Sequence, residues 1–403
     1  MTSAKNDDLD VRPGPNRYVS HVGAALHIVR FLEDYRSPAI VTGQDSWKAF
    51  DTYVTAHHGV VPLTALERYD GSATERNARQ IAAALPDRTD AIVAIGGGKL
   101  SDTAKNVAQL VGCDLIVVPT LAATCSAYTP VSVNYDEQHR YASSPLHSRA
   151  TALTIVDPAL IATGPRRFLI GGIGDTLAKW YESVPIFARL ERTRGLGDFE
   201  RLAQLSARLI RDILIENADK GLQQFDALHH VAASDANTAD TDTAAPVAGA
   251  TAPAASAAAA PQLKALIDAI IGVSGTVGGF GGASARASGA HAVHDALTLL
   301  PESQLSTHGE KVAYGILVQL AAQGDTDEIN RLLPFYRRIG LPCTLADLHI
   351  HPNDTQWKDV TRFAAGNRMG FSAAVEAITA QGVDKAMRYV ESLGEPDQRA
   401  ESI

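Results

Sequence analysis

The stretch DAIVAIGGGKLSDTAK, Asp90 to Lys105, decides how the rest of the chain is read. After Asp90 it runs apolar and β-branched without a charge, the pattern of a strand buried on both faces. Three successive glycines, Gly96, Gly97 and Gly98, end that run. Leu100, Ala104, Val107 and Val111 then recur along one face of a helix. Strand, glycine turn and helix in this order let backbone N–H groups approach a phosphate, and the helix N-terminus adds partial positive charge. Lys99 adds a full one. The spacing is not G-x-G-x-x-G, so the turn alone names no particular nucleotide. A tight βα turn needing positive φ is the plain alternative.

Outward from this unit the same alternation repeats. Short apolar runs at Ala39–Val41, Val60–Leu63, Ala91–Ile95, Leu115–Val118, Val131–Val133 and Leu153–Val156 are expected strands. Ser46–Ala56, Glu75–Ala84 and Leu100–Val111 are expected helices between them. Such alternation predicts a parallel sheet covered on both faces. After Pro165 the strand signal fades: Phe199, Leu202, Leu205, Leu209 and Ile213 recur at helical spacing behind Asp198, and Leu263–Ile271 is a second such stretch. The expected organisation is an α/β domain over residues 1–164 and an all-helical domain over 165–403. Residues 233–261, rich in Ala, Thr, Pro and Asp and without Leu, Ile, aromatic, Lys or Arg, are expected to be a disordered insertion. Pro246 and Pro253 argue against a long helix there.

Composition narrows the function. With 403 residues, 45% hydrophobic and 20% charged, the chain is globular and long enough for two cores. A formal net charge of -9 excludes a nucleic-acid partner, which needs a basic surface. Three cysteines without CxxC spacing point to a reducing compartment. The start, MTSAKNDDLDVRPGP, lacks the apolar core of a signal peptide, and no run of about twenty apolar residues stands out. A cytoplasmic protein that avoids membranes is expected.

Three polar residues sit in segments too apolar to hold them idly. Asp175 lies in IGGIGDTLAKW, His291 and His294 one turn apart in GAHAVHD, and His308 in THGEKVAYG. A buried acid is costly unless paired or ligated. One carboxylate and two imidazoles make a ligand set for a divalent metal with an open position, although a single histidine on an apolar helix is ordinarily a satisfied core residue. A second loop, PTLAATCSAYT from Pro119 to Thr129, is small and hydroxyl-rich and follows the next expected strand. It reads equally as a cofactor contact or a polar surface loop.

Five ordered motifs, GGGKxxDxAK, PTxAxTC, GIGDTLAKWYE, GAHAVHD and HGEKVAYG, resemble those of the metal-dependent, iron-containing alcohol dehydrogenases, in the branch of glycerol dehydrogenase and its relatives. The resemblance covers nearly the whole chain apart from residues 233–261. It implies a Rossmann-like N-terminal domain, a helical C-terminal domain and an active site in the cleft between them. It implies a metal, zinc or iron, on Asp175, His291 and His308. The dinucleotide pyrophosphate would lie on Gly96, Gly97, Gly98 and Lys99, with Asp102, Thr120, Thr129, Val131 and Tyr135 around it. His294 is the expected proton relay, with helix packing as its alternative.

Departures from the pattern refine this. Glycerol dehydrogenases commonly carry Asp after the residue matching Thr124; Cys125 stands there instead, and the surrounding strings resemble the hydroxycarboxylate dehydrogenases that reduce 2-oxoacids. NAD-specific members often place Asp after the strand matching Ala39–Val41. This chain has Thr42-Gly43-Gln44, which favours NADP(H) while leaving NAD(H) open. Lys179 replaces the fourth ligand histidine of iron-dependent relatives, which favours three-ligand zinc. The expected substrate is a small carbonyl compound, with Cys125, Lys179 and Arg286 as candidate substrate contacts, and the expected assembly is a homo-oligomer. A polyol dehydrogenase and a sugar-phosphate cyclase of the dehydroquinate synthase type are the alternatives.

Overall fold

The computed structural model describes residues 11–61, 65–138, 140–238, 260–285, 287–366 and 370–394. Six strands form one parallel sheet: β1 (Arg17–Ser20), β2 (Pro38–Thr42), β3 (Ala65–Arg68), β4 (Ala91–Gly96), β5 (Asp114–Pro119) and β8 (Leu153–Val156), in the order β1-β8-β5-β4-β2-β3. β6 (Asn134–Tyr135) and β7 (Tyr141–Ser143) make a separate antiparallel pair. β4 is central and every residue of it is buried, as its unbroken apolar run requires. Its glycines lead into α4 (Gly98–Val111), which ends on a left-handed Gly112. Helices α1 (Ile28–Phe31), α2 (Gln44–Ala56), α3 (Glu75–Ala84) and α5 (Pro158–Ala162) complete the covering of this half.

Two expected strands fall elsewhere. In place of Val60–Leu63 the strand is Ala65–Arg68, on the edge beside β2, where no alternation is enforced because neither face is deeply covered. Residues 62–64 lie outside the described residues. Val131–Val133 yields only an isolated bridge from Val131 to Leu146, and the strand follows at Asn134–Tyr135. β1, which no apolar run announces, pairs with β8.

Beyond Pro165 the described residues contain helices and no strand. α6 (Arg166–Arg194) and α7 (Asp198–Thr238) are the longest. The first residues of the expected 233–261 insertion thus continue α7, and Pro261 opens the next helix at a position where its missing N–H costs nothing; residues 239–259, with Pro246 and Pro253, lie outside the described residues. The stripe Phe199, Leu202, Leu205 and Leu209 is exposed, and α7 buries Ala203, Ala207, Ile210, Leu214 and Ala218 instead. Pro261–Gly281 is long and apolar enough to cross a membrane, contrary to expectation, but 61% of its most apolar window is buried inside the fold, as in a core helix. Asp268 in that segment accepts hydrogen bonds from Tyr18 (2.9 Å) and Ser20 (2.6 Å) of β1, tying sheet edge to helices.

Close backbone approach positions α6. A Cβ on Gly309 would lie 1.8 Å from the carbonyl oxygen of Gly171, and one on Gly172 would lie 2.2 Å from that of Ala122. Glycines at these positions let α6 touch both the start of the helix His308–Gln323 and the loop after β5. That contact brings Asp175 to the sheet's carboxyl edge.

Candidate metal centre and cofactor cleft

Asp175 lies on α6, His291 on the first turn of the helix Gly289–Leu297, and His308 opens the helix His308–Gln323. The last helix start is fixed by a reciprocal cap: Thr307 Oγ1 accepts from the Glu310 amide and Glu310 Oε2 from the Thr307 amide (2.6 Å). His291 Nε2 lies 3.4 Å and His308 Nε2 3.2 Å from Asp175 Oδ1. The ligand atoms of the three side chains all fall within 4.8 Å of one another. Burial grades outward, with side-chain exposures of 5% for Asp175, 15% for His291 and 30% for His308. Burial works against charge on Asp175, but His308, hydrogen bonds from both imidazoles and the charge of Lys179 hold its carboxyl well below the usual range. An ionised carboxylate and two imidazole nitrogens converging in this way fit a divalent cation with room for a further ligand.

Each imidazole is held from behind. Glu182 is 2% exposed, and its Oε2 lies 2.7 Å from His291 Nδ1. Its Oε1 accepts from the amides of Ser288 (2.6 Å) and His291 (2.9 Å). A carboxylate at Nδ1 keeps a proton there, so that Nε2, which shares its own proton with Asp175 here, is the nitrogen that would give it up to a metal. His308 Nδ1 lies 3.0 Å from His294 Nε2, and His294 Nδ1 lies 3.0 Å from Asp295 Oδ1. Burial and the neighbouring His308 push His294 down to about 3, so it is a neutral acceptor. The structure therefore places His294 behind His308, 4% exposed, as the group that orients that ligand. Sequence reading missed Glu182, although it falls two helical turns after Asp175 on the same face, and that spacing was a usable signal.

The glycine turn is built for close approach. A Cβ on Gly98 would meet Thr124 Oγ1 at 2.8 Å and one on Gly97 would meet Leu121 at 3.2 Å, so the second loop packs directly on the first. Of the expected cofactor residues, Thr120 is buried with its amide on the Gly96 carbonyl (3.1 Å). Lys99 lies 5.5 Å from the centre of the Tyr135 ring, and desolvation lowers its pKa. Tyr135 is half-buried, and burial together with the charges of Asp102, Asp295 and Asp175 pushes its phenol up. Thr129 and Val131 are partly exposed on the same loop, which Thr129 enters through its amide on Cys125 (3.2 Å). Cys125 is partly exposed at the turn itself.

Asp102 lies under the turn. It is buried, with Oδ1 accepting from Lys105 Nζ (2.9 Å) and Ser126 Oγ (2.6 Å). Lys105 also donates to Ser126 (3.2 Å) and to the Val131 carbonyl, so one buried ion pair stitches both loops under the turn. Replacing Lys105 with Met strands the carboxylate and should cost about 3–5 kcal/mol in urea unfolding. A loss below about 1 kcal/mol would mean that the pair does not hold the loops.

Lys179 stands one turn after Asp175 on α6, partly exposed; Arg286 lies outside the described residues. A cavity of about 680 Å³ lined by Trp180, Pro185, Arg211 and Glu328 contains none of the site residues, and Arg211 already covers the Trp180 ring at 4.5 Å.

Comparison with known proteins agrees with this geometry. Residues 15–158 match the family described as iron-containing alcohol dehydrogenase. Hydroxycarboxylate dehydrogenase A of Escherichia coli (strain K12) is 35% identical over 87% of this chain and 88% of its own. A glycerol dehydrogenase of Pseudomonas putida is 32% identical over 76% of this chain and 75% of its own. The crystal structure of a probable glycerol dehydrogenase from Sinorhizobium meliloti 1021 superposes with a TM-score of 0.76 at 26% identity, covering 96% of this chain and 99% of that one. These relatives are oxidoreductases, which sets the cyclase alternative aside. With these relatives and a carboxylate–imidazole trio able to hold a metal, the chain belongs to the iron-containing alcohol dehydrogenase family and is a metal-binding, NAD(P)-dependent dehydrogenase acting on CH–OH groups.

Proposed function

We propose that the protein interconverts a small 2-oxoacid and its 2-hydroxyacid with NADP(H), using zinc held by Asp175, His291 and His308. The carrying observation is a cation beside the ligand trio: Lys179 stands one turn from Asp175 and its charge helps keep Asp175 ionised. A 2-oxoacid needs such a cation for its carboxylate. Cys125, where polyol-binding relatives carry an acid, points the same way, as does the likeness to hydroxycarboxylate dehydrogenase A. The divalent cation supplies a Lewis acid for the substrate oxygen. The protein's own residues do the rest. The glycine turn and Thr120 hold the dinucleotide, and Lys179 orients the carboxylate. A homo-oligomer in the cytoplasm completes the reading, supported by the exposed Phe199–Leu209 stripe and three free cysteines.

Lys179→Met should raise KM for 2-oxobutanoate by about 10-fold or more, the scale of a lost charge-assisted bond, and leave an uncharged ketone within about 2-fold. Equal effects on both would remove Lys179 from that role. Polyol oxidation is the second reading, favoured by the glycerol dehydrogenase relatives. A spectrophotometric panel of 2-oxoacids, aldehydes and glycerol with each nicotinamide cofactor separates the two.

A further inference from the structure

We infer that the carboxyl ends of β2 and β3 form a subsite for a phosphate monoester dianion, the 2′-phosphate of NADP(H), and that Arg68 reads it. The inference rests on the dehydrogenase reading of the cleft and concerns which of two cofactors the cleft selects.

The sheet order lines these strand ends up in a row. β4, which ends in the glycine turn, is followed by β2 and then β3, with neighbouring strands about 5 Å apart. A dinucleotide with its pyrophosphate on Gly96–Gly98 and its adenosine toward this edge passes the end of β2 and meets β3 last. The turns are physically joined: Thr42 Oγ1 donates to the Ile95 carbonyl (2.8 Å) and lies 3.2 Å from Ser46 Oγ. Ser46 Oγ in turn lies 3.2 Å from where a Cβ on Gly96 would stand. In dinucleotide folds an acid at the end of the second strand bonds the ribose 2′-hydroxyl and repels a phosphate there. Here the strand end is Thr42-Gly43-Gln44.

Arg68 stands opposite that end, paired in register with Thr42. Its Nη1 donates to the Gly43 carbonyl (2.7 Å), and its guanidinium carbon lies 5.9 Å from the centre of the Trp47 ring. Those two contacts hold the side chain beside the turn and leave its remaining N–H donors open. Among the described residues they are its only recorded partners, and neither is a carboxylate. An exposed guanidinium braced by a carbonyl and an indole, with no acid paired to it, is a planar donor fork suited to a phosphate. Asp45, exposed on the first turn of α2, is the acid nearest in sequence to this strand end and opposes the anion.

The test is direct binding, by fluorescence titration of NADPH and NADH on the metal-free and zinc-loaded full chain. The unaltered protein should bind NADPH more tightly. Arg68→Ala should raise the Kd for NADPH by about 10–100-fold and leave NADH within about 2-fold, in both metal states. Thermal-shift titration with adenosine 2′,5′-bisphosphate against adenosine 5′-monophosphate should show the same selective loss, and Arg68→Lys should restore part of it. Equal weakening of both cofactors would mean that Arg68 only braces the Gly43 turn, and an unchanged NADPH affinity would mean that it touches no phosphate; either overturns the inference. Failure here leaves turnover with NADH intact, whereas failure of the dehydrogenase reading abolishes turnover with both cofactors.

Discussion

Replacing His308 with Ala removes bound metal and turnover together while the fold survives. His308 is the most exposed of the three ligands and opens its helix, whose start is secured independently by the Thr307–Glu310 cap. Its loss therefore removes one of three donors without undoing the helix. Elemental analysis of the purified variant should find the metal-to-chain ratio near zero after dialysis. kcat/KM should fall by at least about 10³-fold, since Lewis-acid stabilisation is worth several kcal/mol. The melting temperature measured metal-free should stay within a few degrees of the unaltered protein. A variant that retains metal and turns over normally would refute the ligand assignment.

The second large effect is expected at Glu182, a residue that touches no substrate. In Glu182→Gln one carboxylate oxygen becomes an amide donor. If the amide carbonyl keeps the Ser288 and His291 backbone donors, the NH₂ faces His291 Nδ1. It then favours the tautomer with its proton on Nε2, where the metal must bind. Metal affinity, measured by competition with a chromophoric chelator and independent of activity, should weaken by about 10–100-fold. Activity should return at high zinc concentration, which a misfolded variant would not show. An unchanged dissociation constant would show that His291 needs no help from behind.

Much of the architecture was legible because it is local. β4 and α4 announce themselves through an unbroken apolar run, a glycine turn and a one-faced helical repeat, and each of these depends on near neighbours in the chain. The edge strand β3 and the short β1 were not legible. Their pairing is decided by β2 and β8, and their own residues carry little pattern. The stripe from Phe199 to Leu209 shows the limit of periodicity: it identified α7 as a helix and picked the face that the fold leaves exposed. A helical repeat reports a helix and says nothing of which neighbour covers it.

The same division runs through the site. The residue types needed for a metal and a phosphate, Asp175, His291, His308 and the glycines at 96–98, are visible in the chain as costly polar groups or unusual turns in apolar surroundings. That the ligand atoms of Asp175, His291 and His308 converge within 4.8 Å is a tertiary fact, made possible where glycines let α6 press against a helix start and the loop after β5. Asp102 and His294 illustrate what only packing could decide. Asp102 was expected around the cofactor and His294 as a proton relay or a packing residue; in the fold one forms a buried ion pair with Lys105 and the other stands behind His308. Which atoms a polar side chain faces depends on what is packed against it. Sequence therefore determined the kinds of chemistry present, and only the folded arrangement assigned each group to holding, orienting or reacting.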